Sequence, residues 1–156
     1  MPNPPTGFHH GLTLDQARAV ADATLAEGRR LGLAPLCVVV LDAAGQPKAL
    51  LKEDGCSLLR HGIAQGKAFG AMALGFGGRE LARRAGSMGG FMNAFSDMAT
   101  LHGGAAVPVP GGVLVRDGAG VAVLGAVGVS GDLSDRDEAA AVAGIAAAGL
   151  TADTGD

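Results

Sequence analysis

Lys67 is set among Ala64, Gly66, Ala68 and Gly70, and four histidines, His9, His10, His61 and His102, are spread along the chain. These are the side chains with the widest chemical scope. A neutral imidazole can move a proton or ligate a metal, and a lysine in a low-dielectric setting needs a carboxylate partner or an anionic ligand. Snorkelling at the edge of a core is the ordinary fate of such a lysine. The alternative is that Lys67 points into a pocket, pairing with Glu53, Asp54 or Glu138 or receiving a ligand carboxylate. Asp137 reads as a helix-terminal charge, whereas Glu138 is open to a further role. His9 and His10 read as a solvated pair on an arm that could close over a neighbouring subunit's pocket. His61 reads as a polar-face residue, and His102, beside Gly103 and Gly104, ranks slightly above it because the backbone there has little bulk.

Several chemistries are disfavoured by spacing. No His-x-x-x-His pair occurs, so no metal site is expected. Gly128-Val129-Ser130-Gly131 lacks the Gly-x-Ser-x-Gly spacing of a nucleophile elbow. The glycines at 86–90 and 111–112 lack the Lys-Ser/Thr of a phosphate loop.

The elements that must position these residues follow from pattern. Residues 1–11, rich in Pro and Gly, read as an arm. Thr13 and Gln16 form a capping box for a helix whose stripe runs through Leu14, Ala17, Ala21, Leu25, Gly28 and Leu31 to a stop at Gly32. Leu36 to Leu41 reads as a strand buried on both faces, returning through Asp42–Gly45 to a strand at Lys48 to Lys52. A second helix is expected from Ser57 to about Leu74, with Leu59, Ile63, Gly66, Gly70 and Leu74 on one stripe. Its Gly62, Gly66 and Gly70 row implies close approach of another backbone. Arg79–Ala85 and the Phe91, Phe95, Met98, Ala99 stretch predict short helical segments. Val113–Arg116 and Val121–Val129 form a second hairpin, and a last helix begins with Ser134 as cap and closes at Gly149. The order predicts an α+β fold, an antiparallel sheet flanked by helices. It gives one domain over 12–150, with residues 151–156 as a tail.

Composition narrows the classes. Hydrophobic residues make up 48% and come mostly from Ala, Val and Leu; there are 27 Gly and five Phe but no Trp or Tyr, so packing must be close and small-residue. The net charge of −3 and scattered basic residues offer nucleic acid no footprint. Two cysteines, Cys37 inside an apolar run, predict reduced thiols and a cytoplasmic setting. No signal-like or membrane-spanning stretch is read from the sequence. The glycine row and Ala-rich helices predict a homo-oligomer.

Five landmarks in order carry a resemblance: Val38–Gly45, Asp54-Gly55, Ile63-Ala64-Gln65-Gly66-Lys67-Ala68, Gly125–Gly131 and Asp137-Glu138. From about Leu12 to Gly149 the chain resembles the GlcG/HbpS-like family, which includes haem-binding proteins and domains like the C-terminal domain of corrinoid adenosyltransferases. It has Lys52-Glu53-Asp54-Gly55 where that family often has Arg-Met-Asp-Gly, and Gly70 where it often has Thr. The resemblance implies a profilin-like antiparallel sheet flanked by helices, dimer-based oligomers and a small ligand, haem or another tetrapyrrole. With no Tyr in the chain, His9, His10, His61 and His102 become the candidate haem ligands, with Lys67 for a propionate. The alternatives are an enzyme acting on a small catabolic acid, with Lys67 on the carboxylate and Glu53, Glu138 or His102 as general acid or base, and an accessory subunit of a catabolic pathway. The pocket is expected where Lys67, the Glu53-Asp54 hairpin end and His102-Gly103-Gly104 converge.

Overall fold

The computed structural model describes residues 11–156. His9 and His10 lie outside the described residues. Helix α1 (Leu14–Arg30) starts as its sequence dictates: the Thr13 hydroxyl accepts from the Gln16 N–H at 3.1 Å and the Gln16 side chain accepts from the Thr13 N–H at 3.0 Å. Its buried face is Ala17, Val20, Ala21, Thr24 and Gly28, with Leu14 half-exposed, so the stripe is rotated from the expected one. The cause is the crossing with the last helix, where only small residues fit.

Strands β1 (Cys37–Asp42) and β2 (Pro47–Lys52) form the first hairpin, and β1 is buried along its whole length. Helix α2 (Arg60–Leu74) begins three residues later than Ser57. The weak central stretch resolves into α3 (Gly78–Ser87) and α4 (Gly89–Leu101). Strands β3 (Gly112–Arg116) and β4 (Val123–Ser130) make the second hairpin, followed by α5 (Ser134–Ala147). Ser134 is the first helical residue of α5 and not its cap; Leu133 occupies that position without a side-chain bond. The Asp132 carboxylate binds the Ala34 and Leu133 N–H groups at 2.8 Å each and so fixes the approach to the helix. Gly149, at φ 74°, ends α5 as expected.

Residues 151–156 are not a simple tail. Thr151–Asp153 form β5, paired antiparallel with Leu114–Arg116, and the Asp153 carboxylate takes the Arg116 guanidinium at 2.8 Å. A three-residue polar edge strand has almost no hydrophobic pattern, so its pairing partner, not its own sequence, defines it. The sheet order is β2-β1-β4-β3-β5, with every neighbouring pair antiparallel.

Alternation along the strands divides the core in two. Val38, Val40, Val113, Val115, Val127 and Val129 face α1 and α5. Cys37, Val39, Leu41, Leu114 and Ala126 face α2. Helix α2 lies almost on the sheet backbone: a Cβ at Gly128 would overlap the Ala64 carbonyl oxygen. The Gly66 and Gly70 row is also explained within the chain, because residues 105–107 pack over it and the Val107 N–H donates to the Gly66 carbonyl at 3.0 Å. Gly62 has no neighbour within 4 Å of its would-be Cβ. The close approach that the row implied is therefore met at two positions by the chain itself.

Candidate functional site

The N-terminal half of α2 and the end of α4 with the connection to β3 border an open groove. His61, Gly62 and Gln65 on α2 face Thr100, Gly103, Gly104 and Ala105 across a cavity of about 360 Å³. A second cavity of about 260 Å³, lined by Leu59, Gly62, Ile63, Ala105 and Val107, adjoins it through Gly62 and Ala105. Its wall is open to solvent at Leu59, which is 66% exposed. Glycine and alanine dominate the walls, so they are low and flat.

His61 is oriented within this groove. Its Nδ1 lies 3.0 Å from the Leu58 carbonyl oxygen. A carbonyl can only accept, so in the neutral ring Nδ1 carries the proton and Nε2 keeps its lone pair. That arrangement is the one required of an imidazole ligand whose other nitrogen is anchored to the backbone.

Lys67 sits elsewhere, in the core. The side chain is 3% exposed; Nζ donates to the Val129 carbonyl at 2.9 Å and to the Asp137 carboxylate at 3.2 Å. Asp137, itself 1% exposed at the side chain, also accepts from the Asp132 N–H at 2.9 Å. Gly111, at φ 100°, makes room: a Cβ there would lie 2.9 Å from Nζ. Burial holds the Lys67 ammonium below the ordinary lysine range and the Asp137 carboxyl above the ordinary aspartate range, outweighing their mutual attraction. The chemistry of this pair is a structural lock joining α2, β4 and α5. Asp137 is thus more than a helix-terminal charge, and the partners expected for Lys67 (Glu53, Asp54 or Glu138) are not the ones it takes.

Glu138 pairs with Arg79 at 2.6 Å, while its Oε2 is buried without a partner, and burial raises its carboxyl above the ordinary glutamate range in spite of Arg79. Glu53 is bound at both oxygens, to the Arg29 guanidinium and the Leu36 N–H, each at 2.8 Å. With Asp54, Arg29 and Lys52 it borders a separate open cavity of about 550 Å³. His102 is exposed and lines a third space of about 300 Å³ with the Ala43–Gln46 turn, Phe69, Met72 and Ala73. The expected convergence of Lys67, Glu53-Asp54 and His102-Gly103-Gly104 does not occur. Only Gly103 and Gly104 reach the groove, and they meet His61. The reason is that Lys67 points through the sheet end, away from the α2 face that carries His61. Sequence reading missed Arg29, Arg79 and Asp137 as partners; the small residues around Asp137, namely Gly131, Ala140 and Ala141, were its one available signal.

Cys37 and Cys56 are free thiols. Burial pushes Cys37 up to about 11, which makes it a poor nucleophile. No described helix is long and apolar enough to cross a membrane, and no group of three or more His, Cys, Asp or Glu among the described residues is placed to hold a metal ion.

With this geometry in view, the comparisons are specific. Residues 12–146 match the family described as haem degrading protein HbpS-like, and the chain belongs to that family. The crystal structure of HbpS is 28% identical, with a TM-score of 0.73 over 87% of this chain and 89% of that one. A double variant of Streptomyces reticuli HbpS matches equally, at 28% identity and a TM-score of 0.73 over 87% and 86% of the two chains. The fold is also shared with PduOC, solved as a heme complex, at 23% identity and a TM-score of 0.74 over 94% and 99%. No curated protein sequence matches the chain.

Proposed function

We propose that this protein binds haem or a closely related tetrapyrrole in the groove between α2 and residues 100–107, where His61 would hold its iron. The observation that carries the reading is the His61 ring itself, whose Nδ1 is held by the Leu58 carbonyl so that Nε2 is free beside the paired cavities. Membership of the HbpS-like family and the heme complex of a protein with the same fold support it.

The residues fit such a group. Gly62, Gly103, Gly104 and Ala105 would admit a flat ring, and Leu59, Ile63 and Val107 would shield its apolar edge from water. When bound, haem would supply an iron centre that an imidazole can hold and that can do redox chemistry. The chain's own contribution is to fix the imidazole, exclude water along the apolar side and leave the groove mouth open. The acid–base alternative is less well supported by the geometry: Glu53 and His102 stand apart from Lys67, and Lys67 and Glu138 are each held in an ion pair, with Asp137 and Arg79.

Haemin titration followed by absorbance tests this. The wild type should give a sharpened, saturable Soret band. His61→Ala should weaken binding at least about tenfold, and His102→Ala should stay within about twofold of wild type. An unaltered titration for His61→Ala would overturn the assignment.

A further inference from the structure

The two adjoining cavities on α2 meet at Gly62 and Ala105, which border both. Ala105 brings a methyl group to that junction, whereas Gly62 brings no side chain. A glycine inside a helix is unfavourable relative to alanine, so a packing contact usually accounts for it. The other two glycines of the row meet the chain itself. A Cβ at Gly66 would lie 2.7 Å from the Val107 side chain, and one at Gly70 would lie 3.5 Å from both Ala106 and Leu81. A Cβ at Gly62 would meet nothing within 4 Å, so the chain's own packing leaves room for a larger residue there.

Volume decides what that opening does. Sites that bury a drug-sized ligand occupy roughly 300–1,000 Å³. The space beside His61, about 360 Å³, is near the lower end of that range, and the apolar space, about 260 Å³, is below it. Joined, they fall well inside it. A branched side chain at position 62 would stand at the junction and divide the space beside the imidazole from the one lined by Leu59, Ile63 and Val107.

We propose that Gly62 is a specificity-determining residue of this groove: its missing side chain joins the two spaces into one site wide enough for a tetrapyrrole, and a large residue there restricts the site to small ligands. The inference rests on the haem reading, but it concerns the size of the ligand admitted and not the group that holds the iron.

The test titrates haemin into wild type, His61→Ala, Gly62→Leu, Gly62→Ala and Gly86→Ala, and records the melting temperature and light-scattering mass of each without haemin. Gly86, in α3, also has open space at its would-be Cβ and lies outside both cavities, so it reports what losing a helical glycine does by itself. Gly62→Leu should bind haemin at least about tenfold more weakly and Gly62→Ala at least about threefold, while both melt no lower than wild type and keep its mass. Gly86→Ala should bind within about twofold of wild type. Wild-type haemin affinity in Gly62→Leu would overturn the proposal, and an altered mass beside it would assign position 62 to a contact between copies instead. If Gly62→Leu shows no melting transition, Gly62→Ala decides, and wild-type affinity in that variant overturns the proposal. Weakened binding in His61→Ala with none in the Gly62 variants would sink this inference alone; a wild type that takes up no haemin would sink the haem reading with it.

Discussion

Lys67 crosses the end of the sheet to reach Asp137, and that single contact changes how the residue behaves under substitution. A snorkelling lysine could be truncated at little cost, but here truncation leaves a carboxylate buried and unpaired. Lys67→Ala should lower the unfolding free energy by about 3–5 kcal/mol, measured by urea denaturation, with the double variant Lys67→Met, Asp137→Asn recovering most of the loss. A stability unchanged from wild type would show that the pair holds nothing. Glu138 makes a separate claim about pH. Because burial raises its carboxyl above the ordinary value of 4.5, the folded chain holds that proton more tightly than the unfolded chain does. The stability it contributes is complete below the ordinary value and is lost as pH climbs through the raised one. The stability of wild type relative to Glu138→Gln should therefore fall as pH climbs above the ordinary value of 4.5, and a rise would contradict the burial argument. In the sequence, the importance of Lys67 was legible while its partner was not. Pairing across seventy positions depends on the register of β4 against α2, which local pattern does not contain.

At the scale of elements, the parts defined by local rules were readable. The Thr13-Gln16 capping box, the branched run of β1 and the turn residues of both hairpins each specify their structure within a few residues. Where a tertiary contact decides, the sequence misled. The buried stripe of α1 includes Val20 and Thr24 because α5 crosses there, at Gly144, whose would-be Cβ runs into Thr24. Strand β5 exists because β3 offers an open edge. The Gly66-Gly70 stripe correctly announced a close backbone approach, but a helix surface cannot show whether the approaching backbone is its own chain's 105–107 segment or another subunit. The same limit applies to the site: His61 and Gly103-Gly104 meet only because α4 returns the chain beside the start of α2, and α4 has no side-chain cap to mark its start.

For the whole molecule, the five-stranded sheet acts as a partition. One face is closed by α1 and α5 over a valine core, the buried Lys67-Asp137 pair locks the sheet end, and the opposite face carries α2, whose exposed N-terminal half offers His61 to a groove. The buried ion pair and the proposed haem ligand are thus different residues of the same helix, six positions apart. The central claim is that the His61 imidazole ligates haem iron, and ligand replacement tests it most directly. In His61→Gly the haemin Soret band should be weak and broad, and free imidazole should restore its wild-type position and sharpness by occupying the vacated space. A His61→Gly protein whose band already matches wild type and does not respond to imidazole would contradict the account.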